Sequence, residues 1–306
     1  MINSIEVINY LGESEVFELA RPEKLGLAIK NIDGLGPGKA NINTTAIASY
    51  DGSVFDTARL GNRNIVITFL LLQYENTIEQ ARLTTYKYFP IKKEVTLIFH
   101  TDSRDVSIKG KVESNEPNIF SKDEETKISI VCPDPYFYDL GSTKQSFSTL
   151  SPLFEFPFEC NAGADAEGRP LVFGNIEQFA EGNIVYTGDA DTGVIIRIHA
   201  LGTAKNVTIF NLSTNEQFSI SDEAVTAIVG SSITAGDDIE ICTMVGQKSI
   251  ALSRAGTTYN ILNAVDKNSD WFMLKKGDNI FSYTIGVGET SDLQFVIESN
   301  ILYEGI

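Results

Sequence analysis

Val131-Cys132-Pro133-Asp134-Pro135-Tyr136-Phe137-Tyr138 is the stretch that decides how this chain divides. Thr126 to Cys132, just before it, alternates and is rich in β-formers, which predicts a strand. Two prolines then remove two backbone donors and fix φ twice, so a regular ladder stops there. Residues that precede a proline are pushed to extended geometry, so the chain leaves stiff and straight. Three aromatics follow at once and need a surface to pack on, which predicts a docked joint. Composition changes after it. The expected division is residues 1–138 and 139–306.

A chain of 306 residues is long enough for two ordinary domains. Its formal net charge of −17 is unevenly spread, −5 over residues 1–140 and −12 over 141–306. Neither part has a basic run or a basic face with interleaved aromatics, which argues against binding a nucleic-acid backbone or an anionic membrane. Cys132, Cys160 and Cys242 are too few and too far apart for a disulfide framework or a metal spacing. They read as buried thiols of a protein made in a reducing compartment. Met1-Ile2-Asn3-Ser4-Ile5-Glu6 lacks the pattern of a signal peptide, and the apolar run Ile65 to Leu72 is too short to span a bilayer.

In the first part, Glu15 to Ala20, Leu25 to Ile32 and Arg63 to Leu72 read as strands. In the last of these, Ile65, Ile67 and Phe69 point one way, Val66 and Leu70 the other. Asp33-Gly34-Leu35-Gly36-Pro37-Gly38 is a turn. It is no phosphate loop, since Asp33 stands where the Walker pattern needs glycine and Ala40 replaces its hydroxyl. Tyr50-Asp51-Gly52-Ser53 is a second turn signal. One helix is predicted, opened by a capping box at Thr77 and Gln80, with Ile78, Ala81, Thr85 and Phe89 on one face, Tyr86 and Tyr88 at its edge, and Pro90 as its stop. Val95 to Phe99, Val106 to Val112 and Thr126 to Cys132 return to strand patterns. The acidic tract Glu113 to Glu125 between the last two reads as a mobile surface loop.

In the second part, Phe147 to Phe158 is aromatic and broken by prolines, and Asn161 to Pro170 reads as a loop. Short strands follow at Ile184 to Thr187, Val194 to Ala200, Val207 to Asn211, Gln217 to Ile220, Asp238 to Cys242, Ser249 to Leu252, Trp271 to Leu274, Asn279 to Ile285 and Leu293 to Glu298, with turns at Gly236-Asp237-Asp238 and Lys276-Gly277-Asp278. That spacing predicts a β-sandwich. The fold class is mainly β: a barrel-like sheet with one helix, then a sandwich.

Chemistry would need convergent titratable groups. His100 and His199, the only histidines, end strand patterns in different parts, and neither lies near a nucleophile motif. Asp189-Ala190-Asp191-Thr192-Gly193 has the start of a calcium loop, but it lacks the third ligand and its bidentate position falls on Ala200. Glu124-Glu125 and Asp237-Asp238 read as solvated surface carboxylates. Trp271, the only tryptophan, has Phe272, Met273 and Leu274 beside it and reads as core rather than as a sugar platform. No catalytic, cofactor-binding or metal-ligating residue is assigned, no cofactor is expected, and the chain is not read as an enzyme.

The chain resembles the distal tail proteins of siphophages, the phage tail component family. The resemblance is carried by Ile32-Asp33-Gly34-Leu35-Gly36, Asp51-Gly52-Ser53, Arg63 leading its strand, the helix with Glu79, Ala81 and Arg82, and Cys132-Pro133-Asp134-Pro135-Tyr136-Phe137. Further on it is carried by Gly236-Asp237-Asp238-Ile239-Glu240-Ile241, Gly246-Gln247-Lys248-Ser249, Ser269 to Leu274 with Gly277-Asp278-Asn279, and Tyr303-Glu304-Gly305-Ile306. It implies a tail-tube-like ring domain over 1–138 and a galectin-like sandwich over 139–306. It also implies a homohexameric hub ring between the tail tube and the tip or baseplate, with a channel that DNA passes through. The partners implied are further copies of the chain, the tail tube protein, a tail tip or tail-associated protein and receptor-binding proteins. The implied location is the phage tail of a virion, assembled in the bacterial host cytoplasm without membrane insertion. The alternative is a carbohydrate-binding module for host-surface glycans.

Overall fold

The computed structural model describes residues 1–48, 51–74, 76–146, 148–152, 174–178, 181–288 and 292–306. Tyr50, Phe147, the Leu153 to Phe158 part of the aromatic stretch, the Asn161 to Pro170 loop and Cys160 lie outside these residues. The chain forms two compact units, Met1–Gly141 with Leu302–Ile306, and Ser142–Ile301.

The first unit contains β1 (Ile2–Ile8), β2 (Ser14–Glu18), β3 (Leu27–Asp33), β4 (Ala40–Ala46), β5 (Ser53–Leu60), β6 (Arg63–Leu71), α1 (Ile78–Tyr88), β7 (Glu94–Thr101), β8 (Asp105–Asn118), β9 (Glu125–Cys132) and the start of β10 (Phe137–Ser146). Seven strands make one curved antiparallel sheet in the order β3-β6-β9-β8-β7-β1-β2. Strand side chains alternate between faces, and in β6 this drives Ile65, Ile67 and Phe69 fully inside, against Ile130 and Ile128 of β9. The capping box forms as the sequence predicts: the Thr77 hydroxyl accepts from the Gln80 amide and the Gln80 side chain accepts from the Thr77 amide. The helix buries Ala81, Thr85 and Tyr88, and Phe89 follows. Phe17, Phe69 and Phe89 meet with ring centroids 5.3–6.0 Å apart, inside the aromatic contact range. Tyr86, by contrast, is exposed.

Two sequence expectations change here. Glu113 to Asn118 is not loop but the second half of β8, paired with β9. β7 stops pairing at Lys111, so this half has one open flank, where Pro117 costs no ladder donor. Ala40–Ala46 and Ser53–Leu60, on either side of the Asp51-Gly52 turn, form a hairpin, β4 with β5, where no strand was expected. The Pro133–Tyr138 stretch lies in the first unit, as do the last five residues.

The second unit contains β11 (Ser148–Pro152), β12 (Gly174–Gln178), β13 (Glu181–Tyr186), β14 (Thr192–Ala200), β15 (Lys205–Asn211), β16 (Glu216–Ile220), α2 (Asp222–Val229), β17 (Asp238–Cys242), β18 (Ser249–Arg254), β19 (Thr257–Asn260), β20 (Met273–Leu274), β21 (Gly277–Val287) and most of β22 (Leu293–Tyr303). Two antiparallel sheets, β19-β18-β17-β14-β22 and β13-β21-β15-β16, share one core. Val194, Ile196 and Ile198 point into it while Arg197 and His199 point out. Tyr283 and Phe295, from opposite sheets, stack with centroids 4.0 Å apart. The helix α2 was not expected among the short strands. Asp222 and Glu223 favour its first turn, and Gly230 at φ 96° ends it in the left-handed conformation.

Candidate functional site

The hairpin β4–β5 is a sheet of its own, separate from the core sheet of the first unit. Among the described residues its strands pair only with each other, and every residue from Ala40 to Ala46 and from Ser53 to Arg59 is exposed. A two-stranded hairpin alone is marginally stable in water, so its surface matters. Paired residues share a face, and the register gives Ala40 with Leu60, Ile42 with Ala58, then Thr44 with Phe55 and Ala46 with Ser53. One face is therefore mostly apolar. The other carries Asn41 with Arg59, Asn43 with Thr57, and Thr45 with Val54, and the Thr45 hydroxyl donates to Asp56 at 2.6 Å. Asp56 is the extra residue of a β-bulge between those two pairings. If the strand instead ran regularly with Asp56 in the ladder, Phe55 and Ser53 would turn to the polar side. Ile42 and Phe55 are 62% and 61% exposed, a high value for such side chains in a folded chain.

The root of this arm is built on one guanidinium. Arg63, at the start of β6, is 5% exposed and has no carboxylate in its grip. Its Nη1 donates to the carbonyls of Gly34 and Gly36 (both 2.6 Å), its Nε to that of Pro135 (2.6 Å) and its Nη2 to that of Glu304 (2.7 Å). The plane also lies 4.6 Å from the centroid of buried Phe137. Burial pushes the Arg63 pKa down, as expected for a cation solvated by peptide dipoles rather than by an opposite charge. Gly34 is required here. It sits at φ 90°, and a Cβ would lie 2.1 Å from the Asn64 carbonyl oxygen. Four separate stretches named from the sequence, around Gly34, Arg63, Pro135 and Glu304, thus meet at one side chain.

The C-terminal stretch is held from its other side too. Arg104 Nη2 donates to the Gly305 carbonyl at 2.9 Å, and its guanidinium lies 4.0 Å from the Tyr303 ring centroid. The Tyr303 hydroxyl donates to Asp139 at 3.1 Å, and the Ile306 amide donates to the Leu35 carbonyl at 3.1 Å.

The residues weighed for chemistry are dispersed. His100 lies between Asp105 (3.1 Å) and Glu6 (3.7 Å) in the first unit, and His199 pairs with Asp238 (2.7 Å) in the second. Asp189 pairs with Lys276 at 3.0 Å, and among the described residues no three His, Cys, Asp or Glu side chains gather as metal ligands. Glu125 pairs with Lys30 at 2.6 Å. Asp237 is not the solvated carboxylate expected: it is 1% exposed and takes two bonds from Arg254, because Arg254 and the Thr234 amide fold over it. Burial alone would raise its pKa, but these bonds outweigh burial and hold it below the usual value. Trp271 meets Phe218 edge-on at 5.3 Å and has Lys248 over its ring, a core-edge position. Cys132 and Cys242 are buried free thiols. On the outer face of the second unit, Arg197, His199, Asp238, Glu240, Ser253 and Gln294 line a shallow recess of about 370 Å³. Arg197 there is bound by Glu240 at 3.0 Å and by Glu298.

Residues 187–296 match the family described as siphovirus-type tail component, C-terminal domain. The crystal structure of the SPP1 Dit protein, described as a paradigm of the hub adsorption apparatus in phages infecting Gram-positive bacteria, is similar over 97% of this chain and 98% of that one. The TM-score is 0.63 and the identity 13%. Chains of the phage P2 baseplate in its activated conformation align over 96–97% of this chain and 97–98% of theirs, at 13–14% identity and TM-scores of 0.43 and 0.44. No curated protein matches in sequence. Residues 187–296 thus match the C-terminal domain of siphovirus-type tail components, and the chain as a whole has the fold of SPP1 Dit.

Proposed function

We propose that this protein is a structural hub of a phage tail: copies close into a ring, six by the family resemblance, between the end of the tail tube and the tip or baseplate. The ring leaves a channel for DNA, and the role is architectural rather than catalytic. In this reading the domains are a ring-forming body over 1–138 and an outward sandwich over 139–306. The sandwich is the place for tip, tail-associated or receptor-binding proteins. Assembly takes place in the bacterial host and the product resides in the virion tail. The SPP1 Dit-like fold supports the hub reading, and an overall charge of −17 suits a conduit to which phosphates do not adhere.

The observation that carries the reading is the uncovered apolar face of the β4–β5 arm. A neighbouring copy is its natural cover, since a head-to-tail contact repeated around a closed rotation needs one projecting element per subunit. Burying the exposed 61% of Phe55, about 120 Å² of a ring-bearing side chain, contributes about 3 kcal/mol per contact. Native mass spectrometry and sedimentation velocity of the wild type and of Phe55→Asn test this. Six-fold assemblies that weaken by about two orders of magnitude in the variant support it. A wild type that stays monomeric at high concentration and on added tube protein, or a variant that assembles equally well, refutes it.

A glycan-binding role for the sandwich has one feature in its favour, the recess around Arg197 and His199. Its described lining includes no aromatic side chain to stack on a sugar. Silence on a glycan array would remove this reading.

A further inference from the structure

We infer that Tyr303–Ile306 is the positioning element of the β4–β5 arm, so that the arm holds its geometry only after the C-terminal segment has docked onto the first unit. The arm is joined to that unit by two short connections, Gly34–Lys39 leading in and Gly61 leading out to Arg63. The leading-in connection has no regular ladder of its own. It is fixed instead by Arg63, through the Gly34 and Gly36 carbonyls, and by the Ile306 amide on the Leu35 carbonyl between them. Gly305 lies flat on the same turn: a Cβ there would sit 3.1–3.2 Å from Pro37 N, Gly36 C and the Leu35 oxygen. The Glu304 carbonyl supplies the fourth acceptor of Arg63, so the guanidinium spans arm root and C-terminal segment at once, across 241 residues of sequence.

Four hydrogen bonds from one planar group fix its orientation, and removing the Glu304 acceptor frees Nη2 to swing. The Gly34–Gly36 turn then loses its Ile306 donor and the fixed end of its Arg63 contacts. The segment is itself firmly held, by Arg104 on Tyr303 and Gly305 and by Asp139 on the Tyr303 hydroxyl, so it is a rigid part rather than a fraying end. The consequence is an ordering step. Residues 40–60 acquire a defined direction only when a segment more than two hundred residues later has returned to the first unit. The consequence for ring closure rests on the arm being the contact between copies; the ordering itself does not.

Hydrogen exchange from milliseconds to hours, on dilute full-length protein, tests the ordering in two variants: loss of residues 304–306, and Gly305→Val. The expected result is exchange at least ten-fold faster over 34–46 and 53–62, with β7, β8 and β9 protected as in the wild type. Unchanged arm exchange in the shortened chain overturns the inference. So does equal loss of protection in arm and core, which is what a merely stabilising terminus would give. Should the wild type form no rings while arm exchange still responds, the ordering stands and the hub reading falls.

Discussion

Replacing Arg63 by methionine removes the guanidinium and keeps much of the apolar stem. Four carbonyls, at 2.6–2.7 Å from it, lose their donor inside a site that is 5% exposed. A hydrogen bond to a charged group contributes roughly 1.5–3 kcal/mol net. The sum is reduced because the cation's own burial costs several kcal/mol, which the methionine does not incur. The stacking on Phe137 adds about 1 kcal/mol to the loss. The balance is a destabilisation of about 3–5 kcal/mol, a third or more of what holds an ordinary domain together. Trp271, the only tryptophan, belongs to the second unit, so its fluorescence follows that unit alone. Far-UV circular dichroism follows both. In urea, with a slope of roughly 2 kcal/mol per M, the dichroism transition of the first unit should move down by about 2 M while the Trp271 transition stays put. A first-unit shift of less than about 0.5 M would refute the clamp as the organiser of that unit. A Trp271 transition that moves equally would refute independent unfolding of the two units.

Other outcomes follow from single contacts. Gly110→Ala should cost about 1–3 kcal/mol by urea denaturation, because the new Cβ would meet Ile130 Cγ2 at 2.6 Å and Cys132 Sγ at 2.7 Å. Ala255→Asn should raise the melting temperature, gaining about 0.5–1 kcal/mol, because Ala255 sits at φ 48° in the β18–β19 turn and asparagine tolerates that conformation better. Asp237 has a folded pKa below its unfolded one. Its contribution to stability is thus complete above about pH 4 and is lost as pH falls through the folded value. Trp271 fluorescence in an acid series should show this loss, and Asp237→Asn, though less stable at pH 7, should show a flatter profile. Cys132, whose burial pushes its thiol up to about 11, should resist alkylation in the native protein and react only on unfolding.

The strands that carry the cores were legible in the residues. Ile65, Ile67 and Phe69 alternate as a half-buried strand must, and Asp238 to Cys242 has the same bounds in sequence and structure. The capping box at Thr77 was equally plain, since it is written in side chains. The arm was missed for a physical reason. Ala40, Ile42, Thr44 and Ala46 alternate with asparagine and threonine at period two, but the bulge at Asp56 breaks the phase in the returning strand, and neither strand has a core to announce it. The helix α2 left a signal in Ser221-Asp222-Glu223 and Gly230, yet it is only two turns long. The clamp could not be read at all. Arg63 bonds to backbone carbonyls, which every residue type offers, so nothing in the sequence marks its partners except the glycines that let the chain come close. The buried Asp237 was hidden by the same kind of distance, its partner Arg254 lying 17 residues on.

The single extra residue in β5 also restricts how this arm can change length. Adding one residue in line between Phe55 and Leu60 would roll Phe55 and Ser53 to the side of Asn41 and Asn43, whereas deleting Asp56 itself would only straighten the strand and leave Phe55 opposite Thr44. Matched two-residue changes on both strands keep every side chain where it is. Length variants of this hairpin should therefore come in even steps, with odd ones tolerated only where a bulge is lost, as with Asp56, or a second one is gained.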